Sequence, residues 1–370
     1  MLKIVATFLV LTMVQAGAVS ASSQKASNGS EARSVDIATP FKKCWEYQFE
    51  NTVKRAVAST NGTIYLSEPD GKVRAISAKS GQVLWVTELG GDIAASLAIP
   101  GVGLAVVTGT SSTGAKLRLL NFDTGLVRFS SPIAVSGEVF LGRSGSRLVA
   151  VGSDGSIGAY DSANGSTLWS KKLGSGVKIK PIFSDNSVAV PTVGKTIELI
   201  LTRNGQALGT IRTDHPVTAL AFRENESIVA GDERGNVTNY RDASGGVWWR
   251  FKSGAKIGTI IQTEEGMLVG SYDNFLYLIS NYSGDVKWKR RMGSRLADDP
   301  FVSKSQLFLT VSVEDTALSI DLETGKIIEQ IELGENKYAM SSPVLTDGSM
   351  LVFSIPDAIV AYSNSPCVSK

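Results

Sequence analysis

Three features of the sequence predict an all-β ring of four-stranded antiparallel blades: a word that recurs every 39–44 residues, no sustained 3.6-residue apolar period, and 37 glycines in 370 residues. The word is an apolar run, a polar turn ending in Gly, and Trp four residues later. It reads VRAISAKSGQVLW (Gly81, Trp85), IGAYDSANGSTLW (Gly165, Trp169), VTNYRDASGGVWW (Gly245, Trp249) and LYLISNYSGDVKW (Gly284, Trp288). Degenerate copies are LRLLNFDTGLVRF (Gly125, Phe129), IELILTRNGQALG (Gly205, Gly209) and ALSIDLETGKIIE (Gly325, Glu329). Successive turn glycines stand 44, 40, 40, 40, 39 and 41 residues apart, a steadiness that chance does not produce. Each unit holds four short apolar or alternating runs, as in KIGTII, GMLVGSY, FLYLIS and VKWKRR, separated by hairpin dipeptides. About 40 residues per four strands is the size of a β-propeller blade. Glycine above its ordinary level of about 7% is then turn punctuation.

The elements follow in order along the chain. Residues 1–21, MLKIVATFLVLTMVQAGAVSA, read as a signal peptide, with Lys3 as the positive region, Ile4–Val14 as the apolar core and small residues at Ala16-Gly17-Ala18 or Val19-Ser20-Ala21 for cleavage. Thr7, Thr12 and Gln15 interrupt it too often for a membrane anchor, which needs about 20 unbroken apolar residues. Residues 22–43 are rich in Ser, Ala and charge with no apolar period, and read as a flexible tether. Residues 44–370 are expected to form a single β-propeller domain. After Gly325 the chain supplies three further strands, around MSSPVLT, MLVFSIP and AIVAYSN, while CWEYQFE ahead of the first complete unit is a fourth strand without its first three. Pairing these two ends completes an eighth blade and leaves no free edge. Seven blades is the alternative count.

Charge and composition narrow the function. With 37 Lys+Arg against 35 Asp+Glu, the chain lacks the cationic excess of a nucleic-acid binder. A single histidine and two cysteines argue against a His/Cys metal site and leave little for acid–base catalysis. Aligning IVAYSNSPC on VRAISAKSG puts Cys367 at the turn-glycine position of the eighth blade, and Cys44 adjoins Trp45 in its fourth strand. In an exported protein this pair reads as a ring-closing disulfide, two unpaired thiols being the alternative.

Met340–Gly348 (MSSPVLTDG), Ser319–Gly325 (SIDLETG) and the four Gly-x-x-x-Trp copies resemble the PQQ-like repeat β-propellers. In length and blade count the chain is most similar to the outer-membrane assembly factors of that family, which are lipoproteins. It has no cysteine near the cleavage site to carry a lipid. The resemblance implies that the fourth-strand tryptophans Trp45, Trp85, Trp169, Trp249 and Trp288 dock between neighbouring blades, as their fixed phase in the repeat also indicates. Trp248 is out of phase and is either core or surface.

The innermost strands line the central channel of a propeller. Aligning on Pro181, Pro300 and Pro343 places Lys180 and Asp299 in one phase, with Arg55 near it and Lys178 two residues before Lys180. These four are candidates to hold a small anionic ligand, against the alternative of a solvated channel wall. Asp70, Asp154, Asp232, Glu233, Asp273, Glu314, Asp315 and Asp357 fall in second-to-third connections, where turn chemistry outweighs a cation-binding ring. His215, in Asp214-His215-Pro216, reads as a loop residue, because no motif places a nucleophile beside it. Lys171, Lys172, Lys287, Lys289, Arg290 and Arg291 blunt outer edges.

The expected function is an exported, non-catalytic, monomeric propeller, periplasmic or extracellular. It would bind a protein or envelope component, with no cofactor, no nucleic acid and no membrane span in the mature chain. Repeats of 39–44 residues leave no inserted loops for a pocket over the disc. The alternatives are a quinoprotein oxidoreductase using PQQ and Ca²⁺, from whose alcohol-oxidising members the chain differs in lacking an adjacent cysteine pair, and a carbohydrate-binding sensor.

Overall fold

The computed structural model describes residues 40–49, 56–68, 70–109, 114–223, 227–303, 305–312, 314–335, 337–341, 343–346 and 349–367. The signal peptide, most of the tether and Arg55 lie outside these residues. Eight four-stranded antiparallel sheets make up the molecule, and no helix occurs among the described residues. Blades one to seven span 56–88, 93–132, 139–172, 182–212, 217–252, 257–291 and 301–332. Blade six shows the pattern: Ile257–Gln262, Met267–Ser271, Phe275–Ile279 and Val286–Arg291 run from the inside outwards. The first strands of neighbouring blades meet around the axis.

Blade eight is built from both ends of the chain. Val344–Thr346, Met350–Ile355 and Ala358–Ser363 provide three strands, and Lys42–Gln48 adds the outermost, pairing Lys42 with Ser363 and Gln48 with Ala358. This edge-to-edge closure makes the ring continuous, so that the first and last blades share a seam like any other pair. Phe41 is buried and packs edge-on against Phe308 of blade seven, with ring centroids 5.7 Å apart. The fold therefore takes up residues 41–43, which the polar composition of 22–43 groups with the tether. A single apolar residue with a prepared pocket is invisible to a compositional average.

The core is not one mass but eight clusters, one per seam between consecutive blades. Second strands are buried on both faces, as in Leu104–Val107, Leu148–Val151 and Leu351–Phe353, because each blade is sandwiched between two others. They read as continuous apolar runs for that reason. Outer strands are exposed except at the docking residue and its neighbours, giving the burial alternation seen in Val286–Arg291.

Every blade has a β-bulge in its fourth strand at the same place. In blade five Asn239 pairs with Trp249 and Tyr240 with Val247, leaving Trp248 as the extra residue. Leu84, Arg128, Leu168, Leu208, Lys287 and Ile328 hold the same position in blades one, two, three, four, six and seven, and Cys44 holds it in blade eight. A bulge turns the extra side chain outward and re-aims the next one. That is why Trp248 is 59% exposed while Trp249 is buried, and why Cys44 faces the rim where Cys367 lies.

Candidate functional site

The seams are where the repeat's chemistry is spent. In five of them the indole Nε1 of a fourth-strand Trp donates to a turn carbonyl of the next blade: Trp45 to Ala78 (2.7 Å), Trp85 to Phe122 (2.9 Å), Trp169 to Thr202 (2.7 Å), Trp249 to Asn281 (2.9 Å) and Trp288 to Leu322 (2.9 Å). The ring lies flat on the turn glycine that follows. A Cβ on Gly205, whose φ is +73°, would stand 2.7 Å from the Trp169 ring, so only glycine supplies both the backbone conformation and the clearance. Phe129 makes the same contact with Gly165 but has no donor.

A second seam element follows each fourth strand. Phe49, Leu89, Ile133, Leu173, Thr213, Ser253, Met292 and Leu333 each donate a backbone N–H to the second-to-third turn of their own blade. Six of these side chains are large and apolar, and they plug the seam to the next blade. Thr213 and Ser253, on either side of blade five, are small and polar. Both are absorbed into hydrogen bonds: Thr213 Oγ1 donates to the His215 carbonyl (2.8 Å), and Ser253 Oγ donates to the Ala255 carbonyl (2.8 Å) and accepts from Ser271 Oγ (3.1 Å).

The seam between blades four and five lacks both elements. Gly209 stands where Trp would dock, against Ala243, and Gly245 has nothing within 4 Å of where its Cβ would be. Beside Thr213 opens a cavity of ≈ 320 Å³, lined by Asp214, His215, Asp232, Asn236, Thr238, Tyr240 and Arg250 among others. Burial pushes the Tyr240 phenol up from its ordinary pKa, and the Asp214 and Asp232 charges add to this against the Thr238 hydrogen bond and Arg250. Sequence reasoning gave His215 only a turn role and did not connect it with Tyr240 or Arg250. The signal was present as Thr213, a polar residue at a repeat position that is large and apolar in six of the eight blades.

The seam between blades seven and eight is closed differently. Glu329 occupies the Trp position, and its Oε1 accepts from the Phe41 N–H (2.8 Å). Burial raises the carboxyl above its ordinary value, the Phe41 N–H only partly opposing it. Nearby, Cys44 and Cys367 form a disulfide with Cα atoms 5.3 Å apart, spanning 323 residues, and Lys337 bridges to Glu46 at 2.8 Å.

At the axis, the structure brings two of the four channel candidates together. Asp299, before the first strand of blade seven, accepts a short hydrogen bond from Thr259 of blade six and feels the charge of Lys180 from blade four. Desolvation by the surrounding chain raises its carboxyl pKa, with Asp298 adding and Thr259 and Lys180 opposing. Lys178 and Lys180 are both exposed, and Arg55 lies outside the described residues. An anion reaching Lys180 therefore also meets Asp299. A smaller cavity of ≈ 180 Å³ adjoins Asp298 and Asp299, with Tyr272 at its edge between Lys256 (5.0 Å) and Arg295 (5.3 Å).

The connection acids serve their own turns. Asp70, Asp154, Asp232 and Asp273 accept from backbone N–H groups of Lys72, Ser156, Asn236 and Phe275 respectively. No group of three or more His, Cys, Asp or Glu among the described residues is arranged to hold a metal ion. No helix among them is long and apolar enough to cross a membrane.

Fold, latches and closure define an eight-bladed propeller of PQQ-like repeats. The model of the outer membrane protein assembly factor BamB family matches residues 37–139, 130–234 and 233–365, and the chain belongs to that family. Similar solved structures include BamB from Moraxella catarrhalis, at 13% identity, with 88% of this chain and 100% of that chain covered and a TM-score of 0.67. The computationally designed Ika8 protein is similar at 18% identity, 87% and 98% coverage and TM-score 0.71. Sqt1 of Saccharomyces cerevisiae is similar at 13% identity, 87% and 98% coverage and TM-score 0.71. At these identities the structural likeness establishes the fold. No curated protein matches the chain.

Proposed function

We propose that the protein is an exported, non-catalytic scaffold that binds a protein or cell-envelope component, acting as a monomeric propeller in the periplasm or outside the cell. The observation that carries this reading is the extent of the family match, which runs from residue 37 to residue 365 and so takes in every blade. A disc with two broad faces suits a platform, because a scaffold of paired strands positions the connections that carry binding side chains. The clasp between Cys44 and Cys367 fits an oxidising compartment.

The test is photo-crosslinking in cells, with the crosslinker placed in the connections of one face and then of the other, followed by identification of what is captured. A single envelope protein captured from one face supports the reading. Dye-linked oxidation of an alcohol or sugar by the purified protein on addition of PQQ and Ca²⁺ would replace it with an enzyme.

A further inference from the structure

We propose that the outer edge of blades five and six is a docking surface for an anionic lipid bilayer. The outermost strands of these two blades, Val247–Lys252 and Val286–Arg291, carry Arg250, Lys252, Lys287, Lys289, Arg290 and Arg291 and no carboxylate. The other six outermost strands together carry six Lys or Arg and four Glu. Lysines placed only to blunt edges against strand pairing would be spread over all the blades, because every blade exposes one edge. Instead, Val83–Glu88 of blade one has no cation, although Val83, Leu84 and Val86 are all exposed. The near-neutral chain therefore carries a charge asymmetry around its rim.

The cations bracket the edge of blade five. Trp249 packs on Gly284 of blade six and Phe251 on Tyr277, so Arg250 and Lys252 stand on the opposite flank of their strand. Lys289 lies over Phe275 (5.6 Å), on the side of blade six that faces blade five, and Arg291 shares its flank. Glu265 lies 3.8 Å from Lys287, Lys252 donates to the Arg234 carbonyl and Arg290 to that of Gly325. Arg250, Lys252, Lys289 and Arg291 are exposed and make no salt bridge among the described residues. Between the two groups the bulge turns Trp248 outward, 59% exposed, and Tyr282, on the turn that receives Trp249, is 80% exposed. Arg241 lies over the Trp248 ring and Arg223 over Tyr282, at 5.9 and 5.2 Å. Cations attract anionic headgroups, and Trp and Tyr favour the headgroup layer. A plane laid against a ring of blades rests on two neighbours, which is the extent of this patch. A linear polyanion would need the charge to continue around the rim, yet it thins to Arg212 on blade four and reverses at Glu329 and Glu332 on blade seven. Docked by this edge the disc keeps both faces free, so the inference adds to the scaffold reading without resting on it.

Vesicle co-sedimentation of the full chain tests it. Vesicles of phosphatidylcholine with phosphatidylglycerol should retain the protein, pure phosphatidylcholine vesicles should not, and high salt should release it. Lys289→Gln with Arg291→Gln should weaken binding about 25-fold, from about fivefold per cation. Trp248→Ala should weaken it further. Lys42→Gln with Lys43→Gln removes the same charge from the edge of blade eight and should change binding by less than about twofold, because charges beyond a Debye length from the bilayer are screened. Circular dichroism and a cooperative melt show that each variant is folded, and Arg250→Gln with Lys252→Gln replaces the blade-six pair if it is not. Failure to bind anionic vesicles, equal binding to both kinds of vesicle, or equal losses from the blade-six and blade-eight pairs overturns the proposal. Binding of single-stranded DNA in place of vesicles, abolished by the same substitutions, overturns the bilayer as the occupant.

Discussion

The seam between blades five and six and the seam between blades four and five share strand pairing, turn geometry and a small polar residue after the fourth strand. They differ in one position. Trp249 covers Gly284 and hydrogen-bonds to Asn281, whereas Gly209 rests against Ala243 and covers nothing. The first seam is closed by an aromatic latch and a serine network. The second is left with a polar cavity. One residue per repeat thus separates a latched seam from an unlatched one, and the unlatched seam keeps its own buried core around Ile211, Leu220 and Tyr240.

The largest expected effect breaks the closed member of the pair. Trp249→Ala should destabilise the fold by about 3–5 kcal/mol in urea unfolding, since it removes a buried ring and orphans a turn carbonyl. Next comes the clasp: Cys44→Ser with Cys367→Ser should cost about 2–4 kcal/mol, and the wild type under reductant should fall to the same midpoint. An equal midpoint with and without the bond would show that the pairing of Lys42–Gln48 with Ala358–Ser363 holds the ring alone. Gly205→Ala should cost about 1–3 kcal/mol through strain at positive φ and collision with Trp169, whereas Gly245→Ala, with open space and only the φ of +84° to strain it, should cost less. Matching losses at both glycines would mean that conformation, not the latch, sets the requirement.

The smallest effect concerns the seam closed by Glu329. Burial raises its folded-state pKa above the unfolded value, so the fold binds the proton more tightly. Stability from this group is fully present below the unfolded pKa of about 4.3 and is lost as pH rises through the folded value. Glu329→Gln keeps the acceptor for Phe41 and should raise the melting temperature at pH 7, with the gain vanishing in melts at pH 4. A gain of the same size at both pH values would assign it to packing instead.

Much of this is legible in the sequence alone. The turn-glycine period located seven blades, and the incomplete units at each end supplied the eighth. The phase of Trp45, Trp85, Trp169, Trp249 and Trp288 coincides with their seats on the next blade's turn. The channel candidates were harder. Phase put Lys180 and Asp299 at equivalent heights, but only the closed ring shows that Asp299 answers the Lys180 charge and is tied to Thr259. Trp248 was ambiguous because a bulge shifts the period of two by one residue, and a bulge has no signature in an apolar pattern.

The sequence by itself determined the architecture, since a repeat imposes the same local pairing eight times and each copy corroborates the others. It also determined the closure, because an orphan fourth strand and an orphan set of three have only each other to pair with. The tertiary structure alone decided where the pattern's exceptions matter. Thr213, His215, Tyr240 and Arg250 are scattered over 38 residues of chain and line one cavity only when blade five packs against blade four. Periodicity reports what each blade shares, whereas a site is made from what two neighbouring blades do not share, and that is defined only by their contact.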